Sequence, residues 1–357
     1  GTDDGRVQRT LDGGDSWVDL SGSLIRAGAP PGTWVSWIEL SRHNRQTAWV
    51  CLDNHMRGDH SSWLFRTADG GLNWTRVQSR EFTGFAHRIK EDLVNPALLF
   101  LGTEMGLFAS VDAGANWFRM KNKIPEYALV RDVQIAEKSG SLVVGTHGRG
   151  IYVIDDIGPM RRMTADIASK EVVIFPVDEM ELGSGRFGGM ASTGNVWHAP
   201  NPAQLPSFDY YLRERVMGAA VQADIVDLTG TLVRSLTPTN RKGINRMSWN
   251  FRMKPPRVAE GGTKIDYSAF SAPMVLPGSY VFVLRVGKEE HRDTFALVHR
   301  DQPGFTLADR EAQYRVAMRY YAMQEALSGT VEHISTRQEE LRRLSERLSS
   351  ERDLRKL

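Results

Sequence analysis

Three short segments share one pattern, and it limits the possible folds more than any other feature of the chain. Thr10, Asp12, Gly14 and Trp17 form the first copy, Thr67, Asp69, Gly71 and Trp74 the second, and Ser110, Asp112, Gly114 and Trp117 the third. Each reads Ser/Thr-x-Asp-x-Gly-x-x-Trp, and successive copies start 57 and 43 residues apart. The Asp side chain accepts hydrogen bonds from nearby backbone N–H groups and shapes a turn. The Gly supplies the positive φ that a tight hairpin needs. The Trp opens the next strand and is expected to bury a large apolar surface between neighbouring sheets. One such hairpin every ~40–50 residues predicts the blades of a β-propeller.

A second repeated element supports this reading. Gly1-Thr2, Gly102-Thr103 and Gly145-Thr146 each open a short glycine-rich turn. Around them lie β-rich runs: Ala48–Leu52, Leu98–Leu101, Leu107–Val111, Leu142–Val144 and Ile151–Ile154. Residues 1–157 therefore read as three to four blades, the last at about 129–156. A complete propeller has typically four to eight blades, and an incomplete one leaves an unpaired edge. With Gly rather than Met at position 1, the expectation is a fragment whose missing blades lie upstream.

The Thr/Ser, Asp, Gly and Trp pattern resembles the Asp-box of the BNR-repeat proteins: sialidases, xyloglucanase-type glycoside hydrolases, sortilin and a photosystem II assembly factor. The resemblance implies a propeller in which the Asp-box sits on the blade periphery, away from any catalytic centre. It also implies an extracytoplasmic setting.

The second half changes character. Residues 158–206 read as a linker, with Trp197 to Pro202 as a rigid, extended approach. From 207 to 300 the pattern is strands again. The runs are Phe208–Leu212, Ala220–Leu228, Thr231–Leu236, Asn245–Phe251, Tyr280–Val286 and Arg292–His299. Turn signals separate them, and a β-sandwich follows; residues 254–274 read as a long loop. Asp227, Gly230, Val233, Arg234, Gly243, Asn245, Arg246, Trp249, Pro277, Gly278 and Tyr280 give a pattern similar to the immunoglobulin-like module of the flagellar hook-capping protein. A propeller, a linker and this sandwich in that order resemble a bacterial group labelled glycosyl hydrolase or sortilin-like.

Residues 301–357 form a helical tail. One run starts with Thr306 as N-cap and is expected to break at Gly329. A second carries Ile334, Leu341, Leu344 and Leu348. The expectation is a helical hairpin, with a coiled-coil dimer as the alternative. The fold class is thus all-β, a partial propeller followed by a sandwich and a helical segment.

Composition removes several functions. Lys and Arg number 45 against 43 Asp and Glu, a net charge of +2, so nothing favours nucleic acid as a partner. The single cysteine, Cys51, excludes an internal disulfide and any zinc site built on several cysteines. It falls in a predicted strand and reads as core. No apolar run reaches the ~18–20 residues of a membrane span. The nucleophile elbow and phosphate loop are missing, and no cofactor is expected.

Candidate sites remain in the propeller. Asp53, His55, Arg57, Asp59 and His60 crowd into eight residues between two strands, where binding residues often sit. Their side-chain types can ligate a metal, but no spacing fixes a geometry, and no metal is assigned. His147 and Arg149 fall in the last glycine-rich turn, and Arg can hold a carboxylate in bidentate fashion. Asp3, Glu104 and His147 occupy matching places in the three Gly-Thr elements and are expected on one rim. Asp3 and Glu104 would be the catalytic carboxylates if the chain hydrolysed glycosides. Trp34, Trp37, Trp63 and Trp197 can stack on sugars or pack in the core. Three functions follow: a binding protein for a glycan, peptide or protein; a glycoside hydrolase; or an assembly factor for a membrane complex.

Overall fold

The computed structural model describes residues 1–121, 124–177, 179–182, 207–259, 272–301 and 303–354. They form two compact units, 1–170 and 171–357. Trp197 and most of the proposed linker lie outside the described residues, as does 260–271 of the proposed loop.

The first unit begins with the paired β1 (Gln8–Arg9) and β2 (Val18–Asp19) and the short α1 (Ser21–Arg26). Two four-stranded antiparallel meanders follow. One contains β3 (Trp34–Leu40), β4 (Ala48–Asp53), β5 (Trp63–Thr67) and β6 (Thr75–Val77). The next contains β7 (Ala86–Glu91), β8 (Leu99–Thr103), β9 (Gly106–Ser110) and β10 (Phe118–Arg119). A three-stranded sheet of β11 (Val130–Ala136), β12 (Ser141–Thr146) and β13 (Ile151–Ile154) completes the series. These sheets are the blades of a partial propeller, and β3, β7 and β11 are their innermost strands. Two short helices, α2 (Gly158–Arg162) and α3 (Ala165–Ser169), end the unit. Arg161 grips the buried Asp92 carboxylate through Nε and Nη2 at 2.8–3.0 Å.

The repeated turn owes its shape to its hydroxyl and carboxylate. In the second copy Thr67 Oγ1 donates to Asp69 Oδ1 at 2.8 Å and accepts from the Gly71 N–H at 2.9 Å. Asp69 also accepts from the backbone and side chain of Asn73 at 2.9 and 2.8 Å. Ser16 and Asn116 do the same for Asp12 and Asp112. The position before the Trp is therefore part of the motif. Trp74 and Trp117 are buried, as expected, but Trp17 is 57% exposed.

Each innermost strand carries one extra residue. The pairs Val35↔Leu52, Ala86↔Thr103 and Val130↔Thr146 are each followed by a register shift that leaves Ser36, His87 and Arg131 unpaired. Such a bulge turns the side chains that follow it. Val35 and Ile38, Ala86 and Ile89, and Val130 and Val133 consequently share an apolar cluster pair by pair, three residues apart instead of two.

Blade contacts depend on matched volumes. A Cβ added at Gly102 would lie 2.5 Å from Val130 Cγ1, and one at Gly1 would lie 2.5 Å from Val35 Cγ1. Register places Cys51 at the position of Gly102, and its buried thiol shares a cluster with the smaller Ala86. Cys51 is core, as read from the sequence, and burial pushes its thiol pKa up.

The second unit is a β-sandwich. One sheet orders β14 (Val172–Ile174), β16 (Ser207–Leu212) and β19 (Gly243–Ser248). The other orders β15 (Met180–Glu181), β21 (Glu289–Val298), β20 (Gly278–Val286), β17 (Val221–Asp227) and β18 (Leu232–Leu236). Thus β14 and β15 come from the stretch read as linker. Phe208 is central to the core, stacked on Phe282 at 4.6 Å and edge-on to Phe295 at 5.0 Å. The tail is a single helix, α4 (Leu307–Leu354), and not a hairpin broken at Gly329. One helical Gly costs only ~1 kcal/mol, too little to stop a run of good helix formers with no proline.

Two outcomes are expected. Gly102→Ala should destabilise the chain by about 1–3 kcal/mol in urea unfolding, and Val130→Ala in the same chain should recover part of the loss. The turn carboxyls titrate below their ordinary range, Asp69 at about 2 because Asn73 and Thr67 donate to its ionised form. Their stabilisation is complete above pH ~4 and lost as pH falls through ~2. Unfolding temperature should therefore drop steeply across that window, and less steeply in Asp69→Asn.

Candidate functional site

Antiparallel connectivity sorts the loops by end. In the two four-stranded blades the repeated Asp turns join the third strand to the fourth, at the same end as the turns joining first to second. The turns joining second to third lie at the opposite end, together with the starts of β3, β7 and β11. Most candidate residues fall at this second end.

Register defines a rim position there. Asp53 lies one residue beyond the Val35↔Leu52 pair. Glu104 and His147 hold the matching place, their N–H groups donating to Phe85 O at 3.0 Å and Leu129 O at 2.8 Å. Asp53 is thus the equivalent of Glu104 and His147 in its own blade. Residues 54–62 form an insertion after it, with a 3-10 turn at His55–Arg57.

The buried Asp53 carboxylate ties two imidazoles. Oδ1 meets His55 Nδ1 at 2.5 Å and accepts from the His55 N–H at 3.1 Å, while Oδ2 meets His87 Nδ1 at 3.2 Å. Burial alone would raise its pKa, but the hydrogen bonds from His87 and His55 outweigh it and hold the carboxyl below its usual range. The Nδ1 contacts direct each Nε2 away from the carboxylate. Arg131 Nη1 sits 3.4 Å from both nitrogens of His87, a spacing that puts the cation over the ring face. Trp34, 37% exposed, meets His87 edge-on at 5.5 Å, and His55 stacks on Phe85 at 4.6 Å.

The insertion also reaches the next blade. His60 Nδ1 meets Glu104 Oε2 at 2.8 Å. Its other polar residues hold the loop itself. Asp59 accepts from Asn54, Ser61 and Trp63 Nε1 at 2.7–3.0 Å. Arg57 donates to Pro31 O at 2.9 Å. The expected cluster thus divides: Asp53, His55 and His60 contact the neighbouring His87 and Glu104 or one another at the rim, and Arg57 and Asp59 fix the loop. Asp3, His147 and Arg149 are exposed, with no side-chain hydrogen bond or ion pair among the described residues.

Below the rim the inner strands carry a polar ladder. The Arg88 guanidinium lies 3.0 Å from the Trp37 ring centroid and pairs with Asp132 at 3.0 Å. Lys90 Nζ meets Glu39 Oε1 at 2.6 Å, and Trp37 Nε1 donates to Glu39 Oε2 at 3.1 Å. Trp37 is therefore covered by a cation, and Trp63 is covered by Arg76 at 3.7 Å. Only Trp34 of these three offers a ring near the histidines. Among the described residues no three His, Cys, Asp or Glu side chains converge as metal ligands.

Sequence reasoning missed His87 and the pairing of His87 with Arg131. Aligning the inner strands by their bulges puts Ser36, His87 and Arg131 in register, but that alignment needs the strands to be known.

No protein-family model and no curated protein matches the sequence. Solved structures similar to it include YCF48 bound to D1 peptide, at 17% identity and a TM-score of 0.32 over 44% of this chain and 46% of that one. YCF48 from Cyanidioschyzon merolae matches at 20% identity and 0.33, over 43% and 47%. The xyloglucanase of glycoside hydrolase family 74 from Xanthomonas campestris matches at 13% and 0.34, over 83% and 43%. The chain spans under half the length of each.

Removing the Asp53 carboxylate strands two imidazoles, so Asp53→Ala should cost about 1–3 kcal/mol in urea unfolding. Glu104→Ala, at a more open pair, should cost under ~1 kcal/mol.

Proposed function

We propose that the chain is a binding protein whose propeller holds a glycan, peptide or protein ligand at the rim carrying Asp53, His87 and Arg131. One observation carries this reading. A cation, the imidazoles of His55 and His87 and an exposed indole share one end of the blades, while the acid among them is already occupied. Asp53 is held ionised by two histidines, and a glycosidase acid needs the opposite shift, a raised pKa. Of the two carboxylates expected as catalytic, Glu104 already faces His60, and Asp3 is exposed with no side-chain hydrogen bond among the described residues. The bulges at His87 and Arg131 support the same reading, since bulges re-aim side chains beside functional sites. An extracytoplasmic location and a role in assembling a membrane complex are extensions of it. No helix among the described residues is long and apolar enough to cross a membrane.

Calorimetric titration with immobilisable glycan and peptide panels tests the proposal. Arg131→Ala should weaken the best ligand by about tenfold or more with unchanged unfolding temperature, and His87→Ala should weaken it likewise while lowering that temperature, since it strands the buried Asp53 carboxylate. Turnover of aryl glycosides by the wild type that falls ~100-fold in Glu104→Gln would reverse the assignment in favour of hydrolysis.

A further inference from the structure

The second unit contains a buried cation with no acid paired to it among the described residues. Arg310, in the first turn of α4, is 4% exposed. Its Nε–H donates to His299 Nδ1 at 3.1 Å, so the Nδ1 of that buried histidine is an acceptor and its proton is on Nε2. Asp301 lies 3.5 Å from His299 Nε2, one ring removed from the guanidinium. No carboxylate among the described residues pairs with Arg310 directly, and the Phe305 ring lies 5.1 Å from its guanidinium carbon. Burying an unpaired charge is costly.

Arg310 lines a cleft of ≈ 130 Å³ between the sandwich and the start of α4. Arg252 lines it too, with Nη1 donating to Ala272 O at 2.6 Å. Gln313 and Tyr314 add an amide and a phenol, and Met274 and Ala317 form apolar wall. Since Nε of Arg310 is committed to His299, its two Nη groups remain for a ligand. The Tyr314 hydroxyl is directed to Met253 Sδ at 3.7 Å, so two guanidiniums and the Gln313 amide face this small space, and they are the complement of an oxyanion.

We propose that Arg252 and Arg310 form a binding site for a small oxyanion, a phosphate, sulfate or carboxylate group, between the sandwich and α4. The occupant neutralises Arg310 and fastens the base of the helix to the sandwich. This site is independent of the rim on the propeller and stands whichever ligand that rim holds. The oxyanion is either a free ion or the terminal group of a larger molecule, since both present the same oxygens.

The unfolding temperature of the full chain, measured in inorganic phosphate, sulfate or acetate against chloride at equal ionic strength, tests it. At saturation at least one oxyanion should raise the wild-type transition by roughly 3 °C or more. Arg310→Gln and Arg252→Gln should each weaken that ion's apparent affinity by about tenfold. If Arg310→Gln does not fold, Arg252→Gln carries the same comparison. A wild-type transition that no oxyanion moves beyond chloride overturns the proposal. So does an equal shift in wild type and variant, which would put the ion elsewhere. A sulfated oligosaccharide that competes with free sulfate identifies a terminal group as the occupant; one that does not leaves the free ion.

Discussion

One extra residue in each innermost strand sets the chemistry of the first unit. An unbulged strand alternates, so a side chain two beyond Val35, Ala86 or Val130 would enter the contact between blades. Those side chains belong to Trp37, Arg88 and Asp132. The bulge sends Ile38, Ile89 and Val133 into the clusters instead. It also leaves Trp37, Arg88 and Asp132 free to meet one another in a cation-centred stack. The same three bulges present Ser36, His87 and Arg131 at the rim. Packing, ladder and site therefore follow from one local irregularity used three times.

The bulges also explain which strands were legible in the sequence. The strands β4, β8 and β9 read as continuous apolar runs because both faces are covered. Strands β3, β7 and β11 place their apolar residues three apart, a spacing that matches no strand template. The hairpins announced themselves through their Asp, Gly and Trp, since each residue has one steric or hydrogen-bonding task there. Gly329 misled for the opposite reason, as its cost to a helix is small beside the 48 residues that propagate through it.

The candidate site was partly legible. The crowding of Asp53, His55 and His60 was visible, and so was the rim position shared by Glu104 and His147. The pairing of Asp53 with His87, 34 residues away, was not, because it depends on which strand follows the insertion in space. Nor was the division of labour within the insertion. Arg57 and Asp59 are as polar as their neighbours, and only their contacts with Pro31 O and Trp63 show that they hold the loop in shape.

The polar ladder changes how these blades come apart. Repeats that meet through apolar faces alone can unzip one at a time, each with its own free energy. Here the Lys90–Glu39, Arg88–Trp37 and Asp53–His87 contacts all cross between the blade of β3–β6 and the blade of β7–β10. Separating those two blades would abandon several half-buried charges together, with no intermediate opening that spares them. The seam is accordingly cooperative. These two repeats should protect their backbone amides from exchange as one block, and a protease should find either both closed or both open.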